Sequence, residues 1–170
     1  LGTTRELIER TIDAAERGEH GFEARSETIG AGRVWAFNSI LEGATVRRRG
    51  PHLVEGCDFD GHLVLDGDNL LVGLPAGAVR TLRLRRGHCL VCLPVDEEQW
   101  GAVAHGVDDD FKTRVEDGGT WMNRPLGEML ARVGTPDDAN FGGAPHDLWE
   151  AKLFAVGPIR AVLREQAWML

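Results

Sequence analysis

The sequence has no tyrosine, only three cysteines and no apolar run long enough to cross a membrane. Three cysteines in 170 residues do not make a disulfide framework, so we expect a reducing, cytoplasmic location. Basic residues are also few, since 19 lysines and arginines stand against 27 aspartates and glutamates. A nucleic-acid surface needs clustered lysine and arginine, and a membrane protein needs a span or a signal peptide. We therefore expect neither a nucleic-acid partner nor a membrane partner.

Two short basic clusters are the exceptions to the acidic composition. They are Arg47-Arg48-Arg49 and the group Arg83, Arg85 and Arg86. Either cluster could contact a phosphate, although solvated arginines at the edge of a sheet are the commoner case. The sequence begins with leucine and ends in Trp-Met-Leu, which indicates a piece of a longer protein.

The first 20 residues have the pattern of an amphipathic helix. Thr3 and Glu6 form a capping box, and Gly18 is a typical residue to end the helix. The apolar side chains predicted to share one face are Leu7, Ile8, Ile12 and Ala15.

From Thr28 onward the apolar residues follow a period of six. The two series are Thr28, Val34, Ile40 and Val46, then Leu53, Phe59, Leu65 and Leu71. This period fits neither a helix nor a simple hairpin, but it is typical of hexapeptide solenoids, in which each coil has three six-residue edges. Residues 79–84 and 88–95 then alternate like ordinary strands that extend or cover the solenoid. We predict a mainly β fold with flanking helices: a left-handed parallel β-helix with an N-terminal helix and C-terminal helices.

After residue 95 the pattern becomes helical. Asn123 is predicted to cap a helix that starts at Arg124-Pro125 and stops at Gly134, and another helix is predicted to start at Pro158. The predicted organisation is therefore an N-terminal helix (1–20), a β-helix with covering strands (28–95) and an α-rich C-terminal portion (96–170).

Aspartates and cysteines offer two possible metal sites in the β region. Asp58, Asp60 and Asp66 lack the spacing of a calcium loop, and we interpret them as corner residues, because aspartate and glycine tolerate tight turns. Cys89 and Cys92 form a C-x2-C pair, but zinc needs a second pair of ligands. We predict that these two cysteines are buried structural residues.

Two further features could carry chemistry. Three consecutive aspartates, Asp108 to Asp110, could help to hold magnesium, although such runs are more often a solvated turn. His62 could act as the general base of a hexapeptide-type acyltransferase, but no partner for it is evident. The sequence contains no P-loop, no dinucleotide fingerprint and no nucleophile elbow.

Several segments resemble the L-fucose-1-phosphate guanylyltransferases, including the bifunctional fucokinase/guanylyltransferase enzymes. The segments are LGTTREL (1–7), SILEGATVRRRGPHLVEGCDFDGHLVLDGDNLLVGL (39–74), GVDDDFK (106–112), TWMNRPLGEMLARVG (120–134) and DLWEAKLFAVG (147–157). The most specific parts are the N-R-P motif (123–125), at which a helix is predicted to start, and the L-W-x-A-K-L-F motif (148–154). The sequence VRRRGP departs from the family, in which a glycine-rich corner such as V-G-P-G is usual.

The resemblance implies an enzyme that transfers GMP from GTP to a fucose 1-phosphate-like sugar, with Mg²⁺, giving a GDP-sugar and pyrophosphate. In that family the nucleotide-binding and catalytic residues lie in a preceding Rossmann-like domain. We therefore interpret this chain as the β-helix and C-terminal portion, with that catalytic domain as its partner, a homo-oligomeric state, and no cofactor of its own.

Polar residues in the family-like segments are the candidate site residues. Asn123 and Arg124, at a predicted helix start, and Lys152 are the candidates for binding substrate phosphate, and Asp108 and Asp109 are those for magnesium. Two alternatives stay open: a stand-alone oligomerisation or regulatory module, and a hexapeptide-type acyltransferase that uses His62.

Overall fold

The computed structural model describes residues 3–18, 25–29, 32–41, 45–46, 50–134 and 137–170. The basic run Arg47-Arg48-Arg49 lies outside these residues. The helices in the described part are α1 (Thr4–Arg17), α2 (Leu126–Val133), α3 (Asp137–Phe141) and α4 (Ile159–Gln166). The strands are β1 (Arg25–Ile29), β2 (Gly32–Phe37), β3 (Ile40–Leu41), β4 (Thr45–Val46), β5 (His52–Glu55), β6 (Asp58–Phe59), β7 (His62–Leu65), β8 (Asn69–Val72), β9 (Thr81–Leu84), β10 (His88–Pro94), β11 (Trp100–Gly106), β12 (Thr120–Trp121), β13 (Arg124–Pro125) and β14 (Val156–Gly157).

The largest sheet has seven strands in the order β1-β2-β5-β8-β10-β11-β14. Its central pairs, β2 with β5, β5 with β8 and β8 with β10, are parallel. Its outer pairs, β1 with β2, β10 with β11 and β11 with β14, are antiparallel. Two small parallel sheets, β3-β6 and β4-β7-β9, and the antiparallel pair β12-β13 complete the strands.

The predicted fold class, a left-handed parallel β-helix of the hexapeptide type, is therefore wrong. The fold is mixed α/β, with one mixed sheet and several short sheets. The six-residue spacing did identify core positions, because Leu53, Phe59, Leu65 and Leu71 are all buried. It did not hold at Ile40, which is 60% exposed. A spacing of apolar residues specifies which side chains are buried, but it does not specify how strands pair.

Helix α1 has the ends that the sequence predicted. The Thr3 hydroxyl accepts from the Glu6 N–H, and Gly18 ends the helix with φ +66°, a conformation that glycine adopts without strain. Ile8 is buried against the main sheet, with Trp35 and Leu53 in the same cluster. Leu7 is 54% exposed, so its placement on the buried face was wrong.

Two of the C-terminal helices, α2 and α4, were predicted, but α3 was not, and the predicted start of α2 at Arg124-Pro125 was wrong, because these two residues form β13. Helix α2 ends at Gly134 in the left-handed conformation, and α4 follows Pro158. The residue before α2 is Pro125, and no side chain caps that end. The predicted cap, Asn123, lies instead in the turn between β12 and β13.

The cysteines are buried, as predicted for Cys89 and Cys92. Burial raises the pKa of each of these thiols to about 12 and that of Cys57 to about 11. The thiols are therefore protonated at neutral pH, which fits a structural role. The division of the chain at residues 20, 28 and 95 stays a prediction.

Candidate functional site

The three consecutive aspartates lie in a loop of residues 107–112, the acidic loop, which follows β11. Its members differ sharply in exposure: Asp109 is 1% exposed, whereas Asp108 and Asp110 are exposed. A buried carboxylate is tolerated only when hydrogen bonds or opposite charges compensate for the lost water. The partners of Asp109 therefore determine the structure of this loop.

Asp109 accepts hydrogen bonds from three backbone N–H groups. Oδ2 accepts from Gly106 at 2.6 Å and from Met122 at 2.8 Å, and Oδ1 accepts from Asn123 at 2.9 Å. Met122 and Asn123 have φ values of +57° and +58°, which asparagine tolerates but which are costly for methionine. The carboxylate thus holds Met122 in a backbone conformation that its side chain does not favour.

The Asn123 side chain makes a second connection between the same two segments. Its Oδ1 accepts from the Asp108 N–H at 3.1 Å, and its Nδ2 donates to the Gly87 carbonyl at 3.0 Å. The N-R-P segment therefore binds the acidic loop through both backbone and side chain.

Helix α1 is attached to the acidic loop through Arg5. The Arg5 N–H donates to the Val107 carbonyl, and its guanidinium donates to both oxygens of Asp108, at 2.6 and 2.9 Å. This pairing raises the pKa of Arg5 and lowers that of Asp108. A bidentate guanidinium–carboxylate pair fixes direction as well as distance.

The L-W-x-A-K-L-F segment reaches the other end of the acidic loop. The Trp149 N–H donates to the Phe111 carbonyl at 2.8 Å, and the Lys112 ammonium lies 5.4 Å from the centroid of the Trp149 ring. Four family-like segments, from α1, the acidic loop, the β12–β13 turn and residues 147–157, therefore meet at one place.

A cavity of about 560 Å³ opens where three of these segments meet. Its walls come from Thr3, Thr4 and Glu6 at the start of α1, from residues 109–112, and from Trp149. This volume is in the range of small-molecule sites.

The cavity combines one cation, carboxylates and an exposed aromatic ring. Trp149 is 67% exposed, and the Lys112 ammonium lies beside it. The Asp110 carboxylate accepts from the Lys112 N–H and the Thr113 hydroxyl, and these bonds lower its pKa. The ammonium suits a phosphate, the carboxylates suit hydroxyl groups, and the ring offers a flat apolar face.

Comparison with known families identifies the chain. The family model of the fucose pyrophosphorylase domain matches residues 1–159. The chain belongs to the fucose pyrophosphorylase family. No curated protein and no solved structure gives a significant match. The resemblance to the fucose-1-phosphate guanylyltransferases is confirmed, and the function of the chain is related to that activity.

The sequence-predicted site residues are only partly brought together. Asp108, Asp109 and Asn123 lie in one cluster, and the exposed Arg124 follows Asn123 in β13. The exposed Lys152 lies on the segment that contacts the acidic loop, but it is not part of the cavity wall. The binding roles of Asn123, Arg124 and Lys152 stay predictions.

The two aspartates predicted for magnesium both contact other groups in this arrangement. Arg5 takes both oxygens of Asp108, and backbone N–H groups take both oxygens of Asp109. In the described part of the chain, no three His, Cys, Asp or Glu side chains are grouped to hold a metal ion. The magnesium role of these residues stays a prediction.

Sequence reasoning missed Lys112 and Trp149, although both lie in family-like segments of this fucose pyrophosphorylase domain. The available signal was that each is a large or charged residue inside a segment already recognised. It also missed Arg5, whose partner is more than a hundred positions away in the chain.

No histidine in the part of the chain that the structure describes lines the cavity. His105, just before the acidic loop, is buried with its ring 5.1 Å from that of Phe111, and burial lowers its pKa. His62, the candidate acyltransferase base, is exposed at the start of β7, and in the described part of the chain no side chain hydrogen-bonds to its ring.

None of the helices formed by the described residues is long and apolar enough to cross a membrane.

Proposed function

We propose that this chain binds the sugar 1-phosphate for a guanylyltransferase that makes GDP-fucose from GTP and fucose 1-phosphate. The observation that carries the proposal is the cavity of about 560 Å³ at the junction of the family-like segments. Its wall supplies a cation, carboxylates and an aromatic face, which are the groups that a phosphorylated sugar needs.

Each wall group has a proposed role. The Lys112 ammonium pairs with the sugar phosphate, and the Trp149 ring packs against the apolar face of the sugar. The carboxylates of Glu6 and Asp110 accept hydrogen bonds from sugar hydroxyls. The start of α1 is the positive end of the helix dipole, so it also favours an anion there.

In the proposed reaction, a phosphate oxygen of fucose 1-phosphate attacks the α-phosphorus of GTP. A new P–O bond forms, the bond between the α- and β-phosphates breaks, and pyrophosphate leaves with the displaced electron pair. Lys112 would hold the attacking phosphate and reduce its repulsion from the nucleotide, while Trp149 would orient the sugar.

The proposed partner is a nucleotidyltransferase domain that supplies the nucleotide-binding residues and Mg²⁺. A homo-oligomeric state and a cytoplasmic location belong to the same proposal. They rest on the resemblance and on the low cysteine content of the sequence.

Replacing Lys112 or Trp149 is expected to weaken fucose 1-phosphate binding. Lys112→Met removes the cation but keeps most of the side-chain volume, and Trp149→Ala removes the aromatic face. We expect each change to raise the dissociation constant about tenfold, equivalent to about 1.4 kcal/mol, in isothermal titration calorimetry. Both side chains are exposed, so folding should be unaffected.

Lys152→Met is the matched comparison, because it removes an exposed lysine from a family-like segment outside the cavity wall. We expect its affinity to stay close to that of the unchanged protein. If Lys152→Met abolished binding while Lys112→Met had no effect, the cavity assignment would be wrong and the sequence prediction for Lys152 would stand.

A further inference from the structure

One face of the seven-stranded sheet is covered by α1 along only part of its width. Cys89, at the start of β10, is buried in the cluster that Ile8 of α1 also joins. Successive side chains of a strand point to opposite faces, so Leu93, near the other end of β10, lies on the same face as Cys89. Leu93 is 54% exposed, so the cover that α1 provides does not reach this end of the sheet.

The uncovered end of this face carries a row of apolar residues across three strands. Leu93 of β10 pairs with Gly101 of β11, and Gly101 pairs with Val156 of β14. Paired residues of neighbouring strands project to the same face, so these three residues lie side by side. Val156 is 56% exposed, and Val95, which directly follows β10, is 58% exposed. We name the row of Leu93, Gly101 and Val156 the open face.

Gly101 leaves a slot in the middle of the open face. A Cβ added at Gly101 would have no atom within 4 Å apart from its chain neighbours, so the space above it is empty of other side chains. Leu93 and Val156 form the two walls of this slot. A large apolar side chain of a partner could fill it, as anchor residues do at protein interfaces.

The nearby edge of the sheet does not favour an added strand. Strand β14 is only two residues long and is followed by Pro158, which has no N–H to donate. Beyond β14, the Ala104 carbonyl of β11 accepts from the Trp121 indole at 2.9 Å, and the Ala104 N–H donates to the Gln166 side chain at 3.4 Å. A partner is therefore expected to pack on the open face and not to extend the sheet.

Helix α1 indicates which element fits this face. It packs on the neighbouring strands through Ile8, with Ile12 and Ala15 against the same cluster. A helix is about 10 Å wide, and two strand spacings cover about the same distance. A second helix beside α1 therefore has room over β10, β11 and β14.

The turn between β10 and β11 adds negative charge beside the open face. Its three consecutive acidic residues, Asp96, Glu97 and Glu98, are all exposed. The Asp96 carboxylate accepts from the N–H groups of Glu98 and Gln99 and so shapes the turn. Among the described residues, neither Glu97 nor Glu98 has a side-chain hydrogen bond or ion pair. Both carboxylates are available to cations of a partner that lies on the open face.

We propose that the open face binds an amphipathic helix of a partner protein, with basic residues at the end that meets the β10–β11 turn. An apolar side chain of that helix fills the slot at Gly101, and its lysines or arginines pair with Glu97 and Glu98. A second copy of this chain fits less well, because a symmetric contact through the open face would bring two acidic turns together. The open face shares no residue with the cavity at the acidic loop, so the inference does not depend on the sugar-phosphate proposal.

The test is fluorescence anisotropy of a labelled, alanine-based helical peptide of about 18 residues, roughly five turns, titrated with the whole chain. The peptide carries leucine at every third or fourth position and arginines in its last turn, and a second peptide has glutamates in place of the arginines. We expect the arginine peptide to bind at least about tenfold more tightly than the glutamate peptide. The difference should shrink as salt is added.

Gly101→Val fills the slot with a residue that suits a strand and that the open space accommodates. Its circular dichroism spectrum should be unchanged, and its dissociation constant for the arginine peptide should rise at least about tenfold. Glu97→Gln/Glu98→Gln should remove the preference for arginine over glutamate. The matched control is Glu128→Gln/Glu165→Gln, on helices α2 and α4, which pack into the core on the other face of the sheet. Its affinities should stay within about twofold of the unchanged protein.

The proposal is overturned if neither peptide binds, if both peptides bind equally, if Gly101→Val binds as well as the unchanged protein, or if the two double variants behave alike. Sedimentation equilibrium of the chain alone tests the other occupant. A dimer that Gly101→Val dissociates would identify a second copy and would also overturn the proposal. Fucose 1-phosphate binding should be the same in all these variants, which separates this result from the fate of the sugar-phosphate proposal.

Discussion

Replacing Asp109 with alanine is expected to lower the free energy of unfolding by about 4 kcal/mol. The change leaves the N–H groups of Gly106, Met122 and Asn123 without their acceptor in a buried place. It also removes the group that holds two residues at positive φ. Urea denaturation followed by circular dichroism measures the loss, with a midpoint that falls at an unchanged slope.

Asp110→Ala is the control, because it removes the neighbouring carboxylate from the same loop. Asp110 is exposed, and its bonds to Lys112 and Thr113 lie within the loop itself. We expect a loss of less than about 1 kcal/mol. Equal losses in the two variants would show that the acidic loop is a solvated turn, as runs of aspartate commonly are, and that Asp109 does not organise the site.

Gly106→Ala is expected to destabilise the protein by about 3 kcal/mol through steric overlap. A Cβ at this position would overlap the backbone N, the Cγ and the Oδ1 of Asn123. Asn123 cannot move away easily, because Asp109 and Gly87 hold it through hydrogen bonds. Thermal or urea unfolding measures the loss, and fucose 1-phosphate binding should weaken in parallel.

The same substitution at Gly101 provides the comparison on the same strand. A Cβ at Gly101 would have no atom within 4 Å apart from its chain neighbours, so the alanine fits. We expect a change of less than about 0.5 kcal/mol, since only backbone entropy is altered. A tolerated alanine at Gly106 would mean that the β12–β13 turn does not pack on β11 as closely as described.

Helices α1, α2 and α4 could be predicted because their signals are local. Thr3, Glu6 and Gly18 lie within one short segment, and so do Pro158 and the apolar residues that follow it. The fold class could not be predicted from a period of six. Strand pairing depends on partners far apart in the sequence: β11, the antiparallel partner of β10, lies outside the regular series. Strand β1 contains Thr28 of that series, yet it pairs with β2 as an antiparallel neighbour.

For the same reason, only part of the candidate site could be predicted from the sequence. The three consecutive aspartates are evident in the sequence, but the sequence does not show which of them is buried. That depends on the position of the Met122 and Asn123 N–H groups in the fold, since these groups donate to Asp109. Lys112 and Trp149 meet through a backbone hydrogen bond at Phe111, and no local pattern encodes such a contact. The family resemblance identified the segments, and the fold determined how they combine.

The acidic loop links structure to the proposed function. Its inward carboxylate fixes the β12–β13 turn, Asp108 fixes α1 through Arg5, and the loop end places Lys112 beside Trp149. A rigid support of this kind keeps binding groups in place before the ligand arrives. Stability at Asp109 and binding at Lys112 are therefore expected to fall together when the loop is disturbed.

The most direct test of this account is a nuclear magnetic resonance titration of the ¹⁵N-labelled chain with fucose 1-phosphate. We expect the Trp149 indole signal and the amide signals of Thr4, Asp110 and Lys112 to shift together and to saturate, because these residues line one cavity. Saturable shifts confined to another part of the chain, or no shifts at all, would contradict the assignment of this cavity to the sugar phosphate.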